Sequence, residues 1–237
     1  MSQLTGDARS NYVRRMFGRI AGRYDLLNRV MTMGQDLRWR GEAVRRLSPA
    51  DGGRVLDVGA GTGDLAFEVQ RQFPGVRAVA ADFTAEMIAV GRRRTQGGTV
   101  DWVVADALHL PFADSSFGGV ISGFLLRNLG DVEASISEQQ RVLQAGGQLV
   151  SLDTTPPPAG MLRPLIRFHL HTVIPTLGRV LAGDAEAYRY LPDSTEHFAT
   201  AEAIADRMTA VGMTAVGFVR RMFGTVAIHW GRKDAVQ

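Results

Sequence analysis

A chain of 237 residues, 45% hydrophobic and 22% charged, has enough material for one buried core, and no apolar run in it is long enough to span a bilayer. With no cysteine there is no disulfide framework, thiol nucleophile or thiolate metal site, and the five histidines show no metal-ligand spacing. The net charge is only +3, Lys233 is the sole lysine, and the arginines are scattered instead of interleaved with aromatics, so no nucleic-acid footprint is present.

In chain order, residues 1–9 read as a frayed terminus whose polarity predicts no signal peptide and hence a cytoplasmic protein. Residues 10–48 carry helical spacing at Val13, Met16, Phe17, Ile20, Leu26, Leu27, Val30 and Met31. They predict a helical cap over the ligand edge of a sheet.

The stretch Arg54 to Asp64, RVLDVGAGTGD, predicts a buried parallel strand, a tight turn and a helix start. Gly59, Gly61 and Gly63 alternate with Ala60 and Thr62, so a ligand can lie against bare backbone. The dinucleotide pattern G-x-G-x-x-G reserves for glycine the place that Asp64 holds, and a carboxylate facing a pyrophosphate is unfavourable. D-x-G-x-G-x-G suits S-adenosylmethionine better. Asp57 can attract its ammonium, and the turn's N–H groups can take its carboxylate. The plain alternative is a glycine turn that merely connects strand to helix.

GVRAVAAD, at 75–82, is a second strand ending in Asp82, where nucleoside-binding α/β folds hold the ribose hydroxyls; capping of the helix from Thr84 is the rival role. A third strand leads to Asp106 and Ala107, placed to meet an adenine, or else Asp106 is a solvated loop acid. Strand four runs to LLRNLG, a helix and a Gly-Gly turn lead to strand five, and TTPPPAG interrupts the alternation. The apolar, proline-broken stretch 161–182 predicts short helices that form a lid at a membrane surface, or else a helix in the core or a dimer interface. The end of the chain reads as two strands around Gly224. The pattern implies an α/β fold with a doubly wound, mostly parallel seven-stranded sheet and an antiparallel edge, in a single domain with a helical insertion at 159–195.

YDLLNRVMTMGQDLRW, VLDVGAGTGDLAFEV, ADALHLPF, LLRNLGD, RVLQAGG, YRYLPDSTEHF and GTVAIHWG resemble successive blocks of the UbiE/MenG family, from about residue 11 to 233. Its members are the demethylmenaquinone and polyprenyl-benzoquinol C-methyltransferases of respiratory quinone synthesis. The resemblance implies a class I methyltransferase fold, S-adenosylmethionine as cofactor, a prenylated quinol as acceptor, and transient contact with the inner face of the cell membrane. The expected cofactor set is Asp57, Gly59, Ala60, Gly61, Thr62, Gly63, Asp82, Phe83, Asp106, Ala107 and Gly123. Arg127 would stabilise a developing phenolate, Asn128 and Tyr24 would hold its oxygen, and Asp25 could take its proton. Structural alternatives are Arg127 paired with Asp131 or Asp25, Asn128 capping the next helix, and Tyr24 packed in the cap. The chain departs from the family's usual residues at several positions: Asp36 stands for His, Asp153 for Glu, and Gly123 for Ser or Ala. The runner-up is a methyltransferase of another phenol or polyketide, and a nicotinamide oxidoreductase and a non-catalytic cofactor-binding subunit are the competing classes.

Overall fold

A computed structural model describes residues 6–94, 99–157, 172 and 194–234. The insertion expected at 159–195, with its membrane lid at 161–182, lies almost wholly outside the described residues. Three helices, α1 (Gly6–Ile20), α2 (Tyr24–Met31) and α3 (Gln35–Val44), precede the sheet. The first of them starts within the terminus read as frayed. Five parallel strands follow: β1 (Arg54–Val58), β2 (Arg77–Asp82), β3 (Asp101–Val104), β4 (Phe117–Gly123) and β5 (Leu143–Thr154). Helices α4 (Asp64–Gln72), α5 (Ala85–Arg92) and α6 (Val132–Val142) alternate with them, and α7 (Ala201–Ala210) leads to the hairpin β6 (Met213–Arg221) and β7 (Val226–Lys233).

The sheet order is β3-β2-β1-β4-β5-β7-β6, with β7 antiparallel to both neighbours. Strand order reverses between β1 and β4, and open α/β sheets place ligands at the carboxyl ends beside that point. One expectation needs correcting. The Gly-Gly turn before strand five is absorbed into β5, where Gly146 takes a φ of 78° and the pairing with β4 shifts register. The extra residues form a bulge, and the pairing with β4 resumes at Gln148.

Side-chain parity splits the core into two layers. Val55 packs with Trp39 of α3, Leu47 just beyond it, and Leu65 and Val69 of α4, whereas Leu56 and Val58 pack with Ile136, Ile204 and Met208 of α6 and α7. The cap has its own smaller core of Met16, Ile20, Leu27 and Met31.

Candidate active site

A cleft enclosing about 780 Å³, its open mouth included, lies at the carboxyl edge of β1, β2 and β4. Gly59, Gly61, Asp82, Phe83, Asp106, Ala107, Gly123, Asn128 and Tyr24 line it, so nine expected site residues converge there. Asp57, Ala60, Thr62, Gly63, Asp25 and Arg127 are not among its walls.

Parity explains Asp57. It shares the face of Val55, and its Oδ2 accepts from the Ala66 N–H at 3.0 Å, in the first turn of α4. Gly63 at the helix's N-cap has no side chain to do this, so Asp57 supplies the capping oxygen from the strand. Its Oδ1 is buried without a partner. Burial pushes the carboxyl up to about 7, against the pull of Arg40 and the Ala66 hydrogen bond.

The turn also differs from expectation. Gly59 and Ala60 donate to Ala81 O, Gly61 to Asp82 Oδ2 and Gly63 to Ala60 O, so these four N–H groups are used internally. The turn meets the cleft as bare backbone at Gly59 and Gly61, whose φ values of 68° and 58° suit glycine. A pyrophosphate would find none of these four donors free, which argues against a dinucleotide more directly than Asp64 does. Asp64 does not line the cleft. It bonds Arg29 at 2.7 Å and Arg94 at 2.8 Å, and these cations with Arg40 hold its carboxyl down at about 2 against the opposing effect of burial.

Asp82 ends β2 and braces two turns at once: Oδ2 accepts from Gly61 N and Oδ1 from Thr84 N, each at 2.7 Å. It caps no interior turn of α5; it fixes the Thr84 N–H ahead of that helix. Burial pushes its carboxyl up, while those two hydrogen bonds pull it down. Phe83 follows with 38% exposure and Arg14 stacked over its ring, and Asp106 Oδ1 accepts from Leu108 N at 2.9 Å, shaping the adjacent loop. Together these residues make one acidic, partly aromatic wall.

The opposite wall is β4's end and the short turn Leu126–Asn128. Asn128 donates Nδ2 to Phe124 O at 2.8 Å, yet its Oδ1 is buried with no partner. The helix cap proposed for Asn128 is instead made by Asp131, which accepts from Ala134 N at 2.9 Å. Arg127 turns away from the cleft into a buried pair with Asp153 at 2.5 Å, not with Asp131 or Asp25. Its ring neighbour is Phe124. Tyr24 packs edge-on against Phe17 at 5.7 Å.

Asp25 accepts from the Thr62 hydroxyl at 2.6 Å and from Arg94 at 3.2 Å, which ties α2 to the glycine turn. Arg29, Arg40 and Arg94 were not singled out in the sequence. The signal that points to them is three acids on neighbouring elements, Asp25, Asp36 and Asp64, that need cations. Among the described residues no group of histidines and acids could hold a metal, and no helix is long and apolar enough to cross a membrane.

The model of the ubiE/COQ5 methyltransferase family matches residues 5–233. The chain belongs to that family. It is a methyltransferase whose similarity to named relatives runs nearly end to end. A ubiquinone/menaquinone biosynthesis C-methyltransferase of Desulfotalea psychrophila is 45% identical over 93% of this chain and 90% of its own. A demethylmenaquinone methyltransferase of Thermus thermophilus is 44% identical over 91% and 99%. Solved structures share the fold at lower identity. A SAM-dependent methyltransferase of Thermotoga maritima superposes with a TM-score of 0.67 at 18% identity, over 93% of this chain and 99% of that one. The methyltransferase fold read from the sequence is therefore the fold found.

Proposed function

We propose that this member of the ubiE/COQ5 family transfers a methyl group from S-adenosylmethionine to a ring carbon of a prenylated quinol in respiratory quinone synthesis, with demethylmenaquinol favoured. Two of the named relatives carry that substrate or its ubiquinone counterpart in their names. The structural observation that supports it is the buried, partnerless Oδ1 of Asn128 in the wall of the cleft. An acceptor left dry costs free energy until a donor arrives, and a quinol hydroxyl is such a donor.

The cleft's residues fit the cofactor. Asp82 would hold the ribose hydroxyls, Phe83, Asp106 and Ala107 the adenine, and Gly59, Gly61 and Gly123 the methionine end, where a side chain would intrude. When bound, the cofactor supplies an activated methyl group on a sulfonium. The chain's own residues then orient the acceptor. Asn128 takes the hydroxyl's hydrogen bond and raises electron density on the ring, and Tyr24 closes over the turn beside Gly61. The carbon so activated would take that methyl group, and its own ring proton would leave to water.

The test is a panel of short-chain naphthoquinols, benzoquinols and simple phenols incubated with methyl-labelled S-adenosylmethionine, with products located by NMR. Ring C-methylation of quinols, naphthoquinol foremost, is the expected result. Transfer to oxygen only, or to simple phenols in preference, would overturn the reading.

A further inference from the structure

Six large apolar side chains stand exposed among the described residues: Leu26 (59%), Met33 (77%), Leu37 (54%), Phe83 (38%), Val104 (60%) and Phe223 (74%). Scattered exposed hydrophobics are ordinary on any surface. These are not scattered. Phe83 directly follows β2, Val104 ends β3, and Phe223 sits in the β6–β7 turn, beside the Val226 that pairs with Thr154 at the end of β5. The other three belong to the α2–α3 corner, whose Asp25 bonds Thr62 and whose Arg29 bonds Asp64, both in or beside the glycine turn. All six therefore belong to segments that meet the carboxyl edge of the sheet, and Phe83 among them lines the cleft.

Two of them are held there against backbone preference. Met33 has a φ of 52° and Phe223 a φ of 55°, a left-handed conformation that costs a non-glycine residue free energy. Asparagine or glycine would fit both turns better and would expose no apolar surface. Charge shows the same asymmetry. Residues 6–44 carry eight arginines against four acids, an excess of four, whereas the whole chain carries only +3. Three of those acids, Asp25, Asp36 and Glu42, are paired with Arg94, Arg29 and Arg221. Arg14, Arg15 and Arg38 are exposed.

We infer that this rim is a docking face for an anionic lipid bilayer, with Leu26, Met33, Leu37 and Phe223 entering the headgroup layer and the cap's arginines meeting lipid phosphates. The inference rests on the prenylated-quinol reading for its purpose, since such a face would present the cleft's mouth to a substrate dissolved in the membrane. It assigns the membrane contact to residues of the cap and the strand ends.

The test compares the whole protein with the double variant Met33→Asn, Phe223→Asn, in which asparagine tolerates the left-handed turns and neither position lines the cleft. A second variant, Arg15→Glu with Arg38→Glu, reverses charge only. Flotation with phosphatidylcholine vesicles, with and without phosphatidylglycerol, reads binding. Wild-type protein should bind the anionic vesicles and release as salt rises. Each variant should bind roughly tenfold more weakly or worse, with cofactor affinity and methylation of a water-soluble short-chain quinol unchanged. Undiminished binding by both variants would overturn the docking face, as would loss of self-association in place of vesicle binding, which would make the rim an interface between copies. Vesicle binding without methylation of any soluble quinol would sink the substrate reading and leave the face standing.

Discussion

Asp82→Asn separates bracing from binding at the most connected group of the cleft. The aspartate gives one oxygen to Gly61 N and the other to Thr84 N, both at 2.7 Å. Asparagine has nearly the same shape but one oxygen, so either the Gly61 or the Thr84 N–H must face an amide NH₂. Losing a hydrogen bond to a charged acceptor costs about 1.5–3 kcal/mol. In a chain of this size each kcal/mol lowers Tm by about 2–4 °C, so a fall of about 3–12 °C is expected. If the carboxylate also accepts from ribose hydroxyls, S-adenosylmethionine should bind about 10- to 100-fold more weakly, from a further loss of about the same size. Thermal unfolding and calorimetric titration on the same preparation read the two effects separately. A lowered Tm with an unchanged Kd would refute the binding role and leave Asp82 as a brace between the glycine turn and the start of α5.

Three further outcomes are expected. Asn128→Leu should lower kcat on a quinol by about 100-fold with cofactor Kd unmoved, because it removes the acceptor that faces the substrate along with the Nδ2 bond to Phe124 O; an unchanged kcat would assign Asn128 to the Phe124 turn alone. Arg127→Leu should destabilise the fold by about 3–5 kcal/mol, since it strands the buried Asp153, and Arg127→Leu with Asp153→Leu should recover most of the loss in urea unfolding; a stable single variant with reduced kcat would return Arg127 to stabilising the substrate's phenolate. For pH, Asp57 lies near 7 in the fold, above its unfolded value, so its contribution is complete below about pH 4 and is lost as pH rises through 7. Asp64, held near 2, contributes above about pH 4 and loses that contribution as pH falls toward 2. Asp57→Asn should therefore remove up to about 1.4 kcal/mol per pH unit of slope between pH 4 and 7, and an identical profile would contradict the buried-carboxyl assignment.

Local periodicity carries most of the fold. Each strand–turn–helix unit is written in contiguous residues, so the strands, the glycine turn and the acids at strand ends could be read in order. The two-residue period also decides Asp57: standing two places after Val55, it faces α4 and not the cleft. What contiguous residues do not carry is the pairing of distant charges. Arg127 meets Asp153 because β4 and β5 are neighbours, and residues 26 apart in the chain show no periodic sign of it. The same is true of Arg94, which bonds Asp25 and Asp64 from just beyond the end of α5.

The charge network between the cap and α4 can be tested at Asp36, which is fully buried. It accepts from the Thr32 hydroxyl at 3.0 Å, pairs with Arg29, and lies 3.6 Å from Arg40. Asp64 faces the same two arginines at 2.7 Å and 3.5 Å. Two carboxylates thus balance two guanidinium groups between the cap and α4, with Arg94 and Asp25 completing the set. Such a buried set adds little net stability over apolar packing, but it is costly to break from one side. Asp36→His would place a ring with at most one acceptor between Arg29 and Arg40 and leave their charge with Asp64 alone. We expect a loss of about 3–5 kcal/mol in urea unfolding. Because Arg29 then draws on Asp64, and Asp64 opens α4 next to the glycine turn, cofactor affinity should fall with it. Substitution of Arg29 by Leu in the same chain should relieve part of the loss. A single variant as stable as the wild type would mean that Arg29 re-pairs without strain, and the network would then not be what holds the cap to the turn.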